Sequence, residues 1–147
     1  MQEDRFVRLV VDANILYSGA LMVDGWLSDV FFNTRPLLEM CVPALLRHEL
    51  MRHRPRMAKG MGATIAQVNQ IQDLLLARIT LFDMSLVDDA SWKRAAALVR
   101  EVDKNDEDYV ALALHLKCPL WTDDKRLTRA LAGSAVECLT DADIRKR

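Results

Sequence analysis

Four short carboxylate-bearing segments hold the residues best suited to chemistry. They are Val10-Val11-Asp12-Ala13-Asn14, Arg47-His48-Glu49-Leu50, Asn105-Asp106-Glu107-Asp108 and Trp121-Thr122-Asp123-Asp124. The first and last each follow a short apolar run with the character of a buried strand, and the other two lie in helix-like segments. Acids gathered at one end of a parallel sheet repel one another and resist ionising together, so the arrangement calls for a cation. Hard divalent ions such as Mg²⁺ or Mn²⁺ prefer oxygen ligands and keep part of their water, which suits an all-carboxylate site. Such a site points to phosphodiester chemistry. Zinc is not suggested, because His48, His53 and His115 lack paired ligand spacing.

The elements that must position these acids alternate between strand and helix, the pattern of an α/β domain. Phe6 to Val11 has the dense apolar run of a central parallel strand. One or two short helices are expected from there through Phe32, interrupted near Asp24-Gly25. Leu37 to Val42 is a second strand, with Pro43 suited to a first helical turn. A helix from Ala44 to His53 carries Glu49 about two turns in and stops before Pro55. Arg56 to Gly62 reads as a mobile loop. Thr64 and Gln67 have capping-box spacing, and Ile65, Val68, Ile71 and Leu75 mark one helical face.

Ile79 to Phe82 is a third strand, and Ser85 can cap a helix running to Val102 with Ala95, Leu98, Val99 and Val102 inward. The acidic turn at 103–108 leads to a helix packing Val110, Ala111, Ala113 and Leu114. Leu120 to Thr122, a helix from Asp124 to Ala132, and a strand from Val136 to Leu139 complete the series. In an open parallel sheet, ligands collect beyond the carboxyl ends of the strands. Asp12 and Asp124 therefore point toward one crevice, with Asp106 at a helix start and Glu49 leaning over it.

The chain has 147 residues, 51% hydrophobic and 28% charged, which fits one globular domain over residues 1–147. A net charge of −1 gives no global field for a polyanion, so any such binding is local and helped by metal. Three cysteines, Cys41, Cys118 and Cys138, lack CxxC spacing and read as buried thiols in a reducing compartment. No apolar run approaches the roughly 18 residues of a membrane span and no signal peptide opens the chain. A cytoplasmic protein is expected, with no membrane partner. Taken singly, each acid has an ordinary structural reading: Asp12 as a turn residue, Asp123 or Asp124 as a helix cap, Glu49 as a solvated helix acid, Asn105 or Asp106 as an N-cap. The joint order of strand, acid, helix and acid is what favours one divided site.

That order resembles the PIN-domain nucleases over nearly the full chain. The matching segments are Leu9-Val10-Val11-Asp12-Ala13-Asn14-Ile15-Leu16-Tyr17-Ser18, Val42-Pro43-Ala44-Leu45-Leu46-Arg47-His48-Glu49-Leu50, Asp106-Glu107-Asp108-Tyr109-Val110-Ala111-Leu112-Ala113-Leu114 and Pro119-Leu120-Trp121-Thr122-Asp123-Asp124-Lys125-Arg126-Leu127. The resemblance implies a three-layer α/β fold with a central parallel sheet of four or five strands flanked by helices. It implies that Asp12, Glu49, Asp106 and Asp124 match the family's acidic quartet. Asp106 fits the spacing to Ala111 and Ala113 better than Asp108, and Asp124 precedes the basic-apolar turn, so Asp108 and Asp123 are accessory. Asn14 and Ser18 match polar positions near the first acid, and Thr122 one before the last.

The activity implied is hydrolysis of RNA by metal-activated water. One or two Mg²⁺ or Mn²⁺ ions would sit on Asp12, Asp106 and Asp124, with Glu49 holding a second ion or orienting water. Arg52, Arg54, Arg56 and Lys59, and likewise Lys125 and Arg126, are then candidates for holding the RNA backbone. Their plainer reading is a solvated helix end. The family is rich in toxins of type II toxin–antitoxin pairs, so a cognate antitoxin and a homodimer are further candidate partners, and Trp26, with Phe31 and Phe32, would be either core or part of such a surface. Two other classes compete: a non-catalytic PIN fold that binds partners, and a free-standing RNA-processing nuclease. A haloacid-dehalogenase-type phosphotransferase would need an Asp where Asn14 stands, and a receiver domain has only the thin match Phe82-Asp83-Met84.

Overall fold

The computed structural model describes residues 7–21 and 38–145, without the side chains of 18–21 and 145. Its strands are β1 (Val7–Val11), β2 (Leu38–Pro43), β3 (Thr80–Phe82), β4 (Leu120–Trp121) and β5 (Cys138–Leu139). Helices α1 (Ala13–Leu21), α2 (Leu46–Arg52), α3 (Arg54–Met61), α4 (Ile65–Arg78), α5 (Asp89–Leu98), α6 (Glu107–Leu116), α7 (Lys125–Leu131) and α8 (Asp141–Arg145) connect and flank them. The expected parts at Phe6, around Asp24-Gly25, at Trp26, Phe31 and Phe32, and at Leu37 lie outside the described residues.

Strand side chains alternate between the two faces of a sheet, so buried parallel strands must be apolar on both. Leu9, Val11, Met40, Val42 and Trp121 join one core with Ile15, Leu16, Leu50 and Leu75. Val10, Cys41 and Leu120 join a second with Ala95, Val110, Leu112 and Leu127. The result is an α/β sandwich of three layers. Fully burying a Val, Leu or Ile contributes about 1.5–3 kcal/mol, against a net of about 1 kcal/mol for a hydrogen bond. Packing therefore decides how strands as short as β4 and β5 are held.

All five strands are parallel, in the order β3-β2-β1-β4-β5. The chain builds outward from β1 through β2 to β3, then returns to add β4 and β5 on the other side. The order reverses between β1 and β4, where Val11 pairs with Trp121. A parallel sheet opens a crevice at that reversal, beyond the carboxyl ends of its strands. Asp12 and Thr122 are the next residues on those two strands.

The structure corrects several sequence expectations. The expected loop from Arg56 to Gly62 is helix α3, because Pro55 occupies its first turn, Met57 and Ala58 are buried, and only Gly62, at φ 63°, ends it. The single helix from Ala44 to His53 is shorter: Pro43 closes β2 beside Phe82, and α2 begins at Leu46. Glu49 consequently stands in the first turn of α2, not two turns in. Fully buried Gln72 of α4 fixes the corner between α2 and α3. Its Nε2 donates to the Leu50 carbonyl at 2.9 Å, and its Oε1 accepts from Arg54 Nε at 2.7 Å.

Ser85 does not cap the next helix. It lies in a 3₁₀ turn (Met84–Leu86) capped by Asp83, whereas Asp88 caps α5, which ends at Leu98. Thr64 and Gln67 do form their capping box. Ile65, expected on the core face, is 51% exposed because Val68 and Leu75 carry the buried stripe. Leu98, Val102 and Leu114 are only partly buried against the second core. The three cysteines are free thiols, and burial raises all three, Cys41 to about 12. Among the described residues, no helix is long and apolar enough to cross a membrane.

Candidate functional site

Asp12 leaves β1 and at once enters α1, so its main chain is fixed on both sides. Its N–H donates to the Trp121 carbonyl at 3.0 Å, and its carbonyl accepts from Ile15 N at 3.0 Å. The side chain is 5% exposed and accepts from Thr122 Oγ1 at 2.7 Å. Burial raises the carboxyl above the usual range. The Thr122 hydroxyl and the amides of Asn14 and Ala13 pull against that rise, while the charge of Asp124 adds to it. Thr122 also accepts from Asp124 N at 3.1 Å, so one hydroxyl ties the ends of β1 and β4 together. Exposed Asn14 contributes its main chain. Ser18 lies on α1 with its side chain outside the described set.

Asp124 caps α7. Its Oδ1 accepts from Arg126 N at 2.9 Å and from Leu127 N at 3.1 Å. The plain cap reading of Asp124 is thus satisfied by one oxygen alone. Asp106 ends a 3₁₀ turn (Lys104–Asp106), itself capped by Asp103, and stands at the head of α6 without capping it. Its Oδ2 is buried and has no hydrogen-bond partner. Burial, then the charges of Asp12, Asp124 and Asp103, push its carboxyl up to about 7. A buried acceptor without a donor is costly. One lying in the fields of Asp12, Asp124 and Asp103 fits a divalent cation.

Asp12, Asp106 and Asp124 therefore share one crevice. Among the described residues no three acids stand close enough to enclose an ion. Glu49 lines a cavity of about 240 Å³ with Leu45, Lys104, Asn105, Glu107, Asp108 and Tyr109. Tyr109 lines the same cavity, and burial, Glu49 and then Asp12 raise its phenol. Asp108 faces this cavity and is raised by burial and by Glu107.

Exposed Asp123 is raised by partial burial and by Asp141, with which it shares a hydrogen bond. Asp141 was not among the candidates. It accepts from Trp121 Nε1 at 2.9 Å and opens α8, just past β5. Its signal was present, since Leu139-Thr140-Asp141 repeats the strand-Thr-Asp order of Trp121-Thr122-Asp123. Asp83, the thin receiver match, accepts from Ser85 N and Oγ as a cap.

The basic residues divide by environment. Arg52, Arg56, Lys59 and Lys125 are exposed. Arg126 is exposed as well, but its Nη2 donates to the Glu101 carbonyl at 2.9 Å. Arg54 is half-buried and held by Gln72. Arg54→Ala is expected to cost about 1–2 kcal/mol, since it strands an acceptor on a buried amide, and Arg52→Ala close to nothing. Urea unfolding of both variants checks this; equal midpoints would return Arg54 to the solvated surface.

Comparison with known proteins follows the same outline. No curated protein sequence matches the chain. Among solved structures it is similar to the crystal structure of VapBC2 from Rickettsia felis bound to a DNA fragment from their promoter. The TM-score is 0.71 at 12% identity, covering 91% of this chain and 98% of that one. The model of the PIN domain matches residues 10–142, which takes in all four acidic segments, and the chain belongs to the PIN-domain family.

Proposed function

We propose that the chain is a metal-dependent endoribonuclease that cuts single-stranded or structured RNA in the cytoplasm, and that it is the toxin of a type II toxin–antitoxin pair. The observation that carries the catalytic part is Asp106: a buried oxygen without a partner, beside Asp12 and Asp124, in a family of nucleases. The fold shared with VapBC2 supports the toxin part, with a cognate antitoxin as partner; pairing with a second copy of the chain is a further part of the proposal.

Asp12, Asp106 and Asp124 would hold Mg²⁺ or Mn²⁺, and Glu49 would take a second ion or orient water. A bound divalent ion supplies Lewis acidity that lowers the pKa of water and offsets charge on the leaving oxygen. The remaining roles belong to the chain. Thr122 fixes the Asp12 carboxylate by donating to it, and the cap of α7 fixes Asp124. Burial of this end of the sheet strengthens each interaction made there. Arg52, Arg56, Lys59, Lys125 and Arg126 take backbone phosphates, with Arg54 serving the α2–α3 corner.

The test is cleavage of defined single-stranded RNAs with Mg²⁺, Mn²⁺ or chelator. Cutting is expected with either ion and none with chelator; ion-independent cutting sinks the mechanism. Growth arrest on expression, relieved by the product of a neighbouring gene, tests the toxin reading against a free-standing processing nuclease. The competing reading is a non-catalytic partner-binding PIN fold. Calorimetric titration with Mn²⁺ separates the two, because a scaffold releases no heat of binding.

A further inference from the structure

We propose that the cavity beside the acid crevice is a receptor for a single guanine base, so that this chain selects guanine next to the phosphate it cuts. The position of the base relative to the cut rests on the nuclease reading; the chemistry of the receptor rests on the cavity. Its volume of about 240 Å³ lies below the roughly 300–1,000 Å³ of pockets that enclose drug-sized ligands. It suits one base rather than several. Leu45, a large apolar side chain 53% exposed, and the ring of Tyr109 supply walls against which an unstacked base can lie.

The polar lining selects among bases. Glu107 and Asp108 are acceptors only and stand beside Glu49, which is kept for the metal, while Lys104 and Asn105 bring donors. Guanine presents two adjacent donors, N1–H and the N2 amino group, beside the acceptor O6. A carboxylate can accept both donors while the ammonium or amide answers O6. Uracil offers one N–H between two carbonyls that a carboxylate repels, and adenine and cytosine offer one amino group beside a bare ring nitrogen. The head of α6 sets the distance to the chemistry. Asp106 of the crevice is followed directly by Glu107, Asp108 and Tyr109, which line the cavity there, so a base held in the cavity has its phosphate near the crevice.

Fluorescence anisotropy in chelator, where nothing is cut, compares an all-uridine RNA with the same RNA carrying one central guanosine. The guanosine RNA is expected to bind about tenfold more tightly, and Asp108→Asn or Leu45→Ala to shrink the difference to about twofold. Thermal melting of each variant controls for folding. Equal binding of the two RNAs, no binding of either, or a preference that survives both substitutions overturns the proposal. Mn²⁺-dependent cleavage is scored separately. Cutting without guanine preference leaves the nuclease reading standing and removes the receptor, and preference without cutting does the reverse.

Discussion

Asp12→Asn is expected to lower Mn²⁺-dependent RNA cleavage by about 10²–10³-fold, because it removes several kcal/mol of transition-state stabilisation. The fold should survive. Asparagine has the same shape, and its oxygen can still accept from Thr122 Oγ1, which holds the carboxylate at 2.7 Å. Its neutrality suits the site as well, since burial already disfavours the charged form of Asp12. The melting temperature at neutral pH should therefore be unchanged or slightly higher. That combination is the informative one. A loss of both activity and stability would mean that Asp12 serves the β1–α1 turn, and wild-type cleavage by the variant would remove the acid crevice from the mechanism. Thr122→Val offers a graded control. It deletes the hydroxyl that orients Asp12 and accepts from Asp124 N, so it should weaken cleavage without abolishing it.

The parts of this site legible in the sequence were those encoded locally. Val7–Val11 and Leu120–Trp121 announce buried strands by composition, and an acid just past each must lie at the same end of a parallel sheet. Strand order is not local, yet it decides that β1 and β4 are neighbours, which brings Asp12 into the field of Asp124. The α2–α3 corner was missed for a similar reason. Glycines at 60 and 62 with scattered basic residues have the composition of a loop, and what makes a helix of that stretch is burial of Met57 and Ala58 and the Gln72 clamp from a distant helix. The same clamp removes Arg54 from the solvent-facing basic set. Asp108 and Asp106 differ by two residues in sequence but face different spaces, a distinction made by the 3₁₀ turn ahead of α6.

Asp106→Asn is expected to produce opposite effects: cleavage lost, and the metal-free protein more stable at pH 8. In the folded chain the Asp106 carboxyl is pushed up to about 7 by burial and by Asp12 and Asp124, against roughly 3.9 for an unfolded Asp. The folded state thus binds this proton more tightly than the unfolded chain does. Its contribution is fully present below about pH 4 and is lost as pH rises through about 7. Asp106 is half-buried, so solvent screens part of the repulsion, and the cost above pH 7 is about 1–2 kcal/mol. For a chain of this size that corresponds to about 3–6 °C in Tm. The amide removes the charge and with it the pH dependence, so the advantage of the variant should grow from nothing near pH 4 to its full value at pH 8. Mn²⁺ should reverse the ranking. An ion that binds the folded wild type at 100 times its Kd adds about 2.7 kcal/mol, and the variant lacks one of its ligands. Melting curves at pH 4, 6 and 8, with chelator and with Mn²⁺, test all of this together. A gain that is the same at pH 4 and pH 8 would show that Asp106 is not held against other carboxylates. A gain that persists in saturating Mn²⁺ would show that its unpartnered oxygen is not there for a cation.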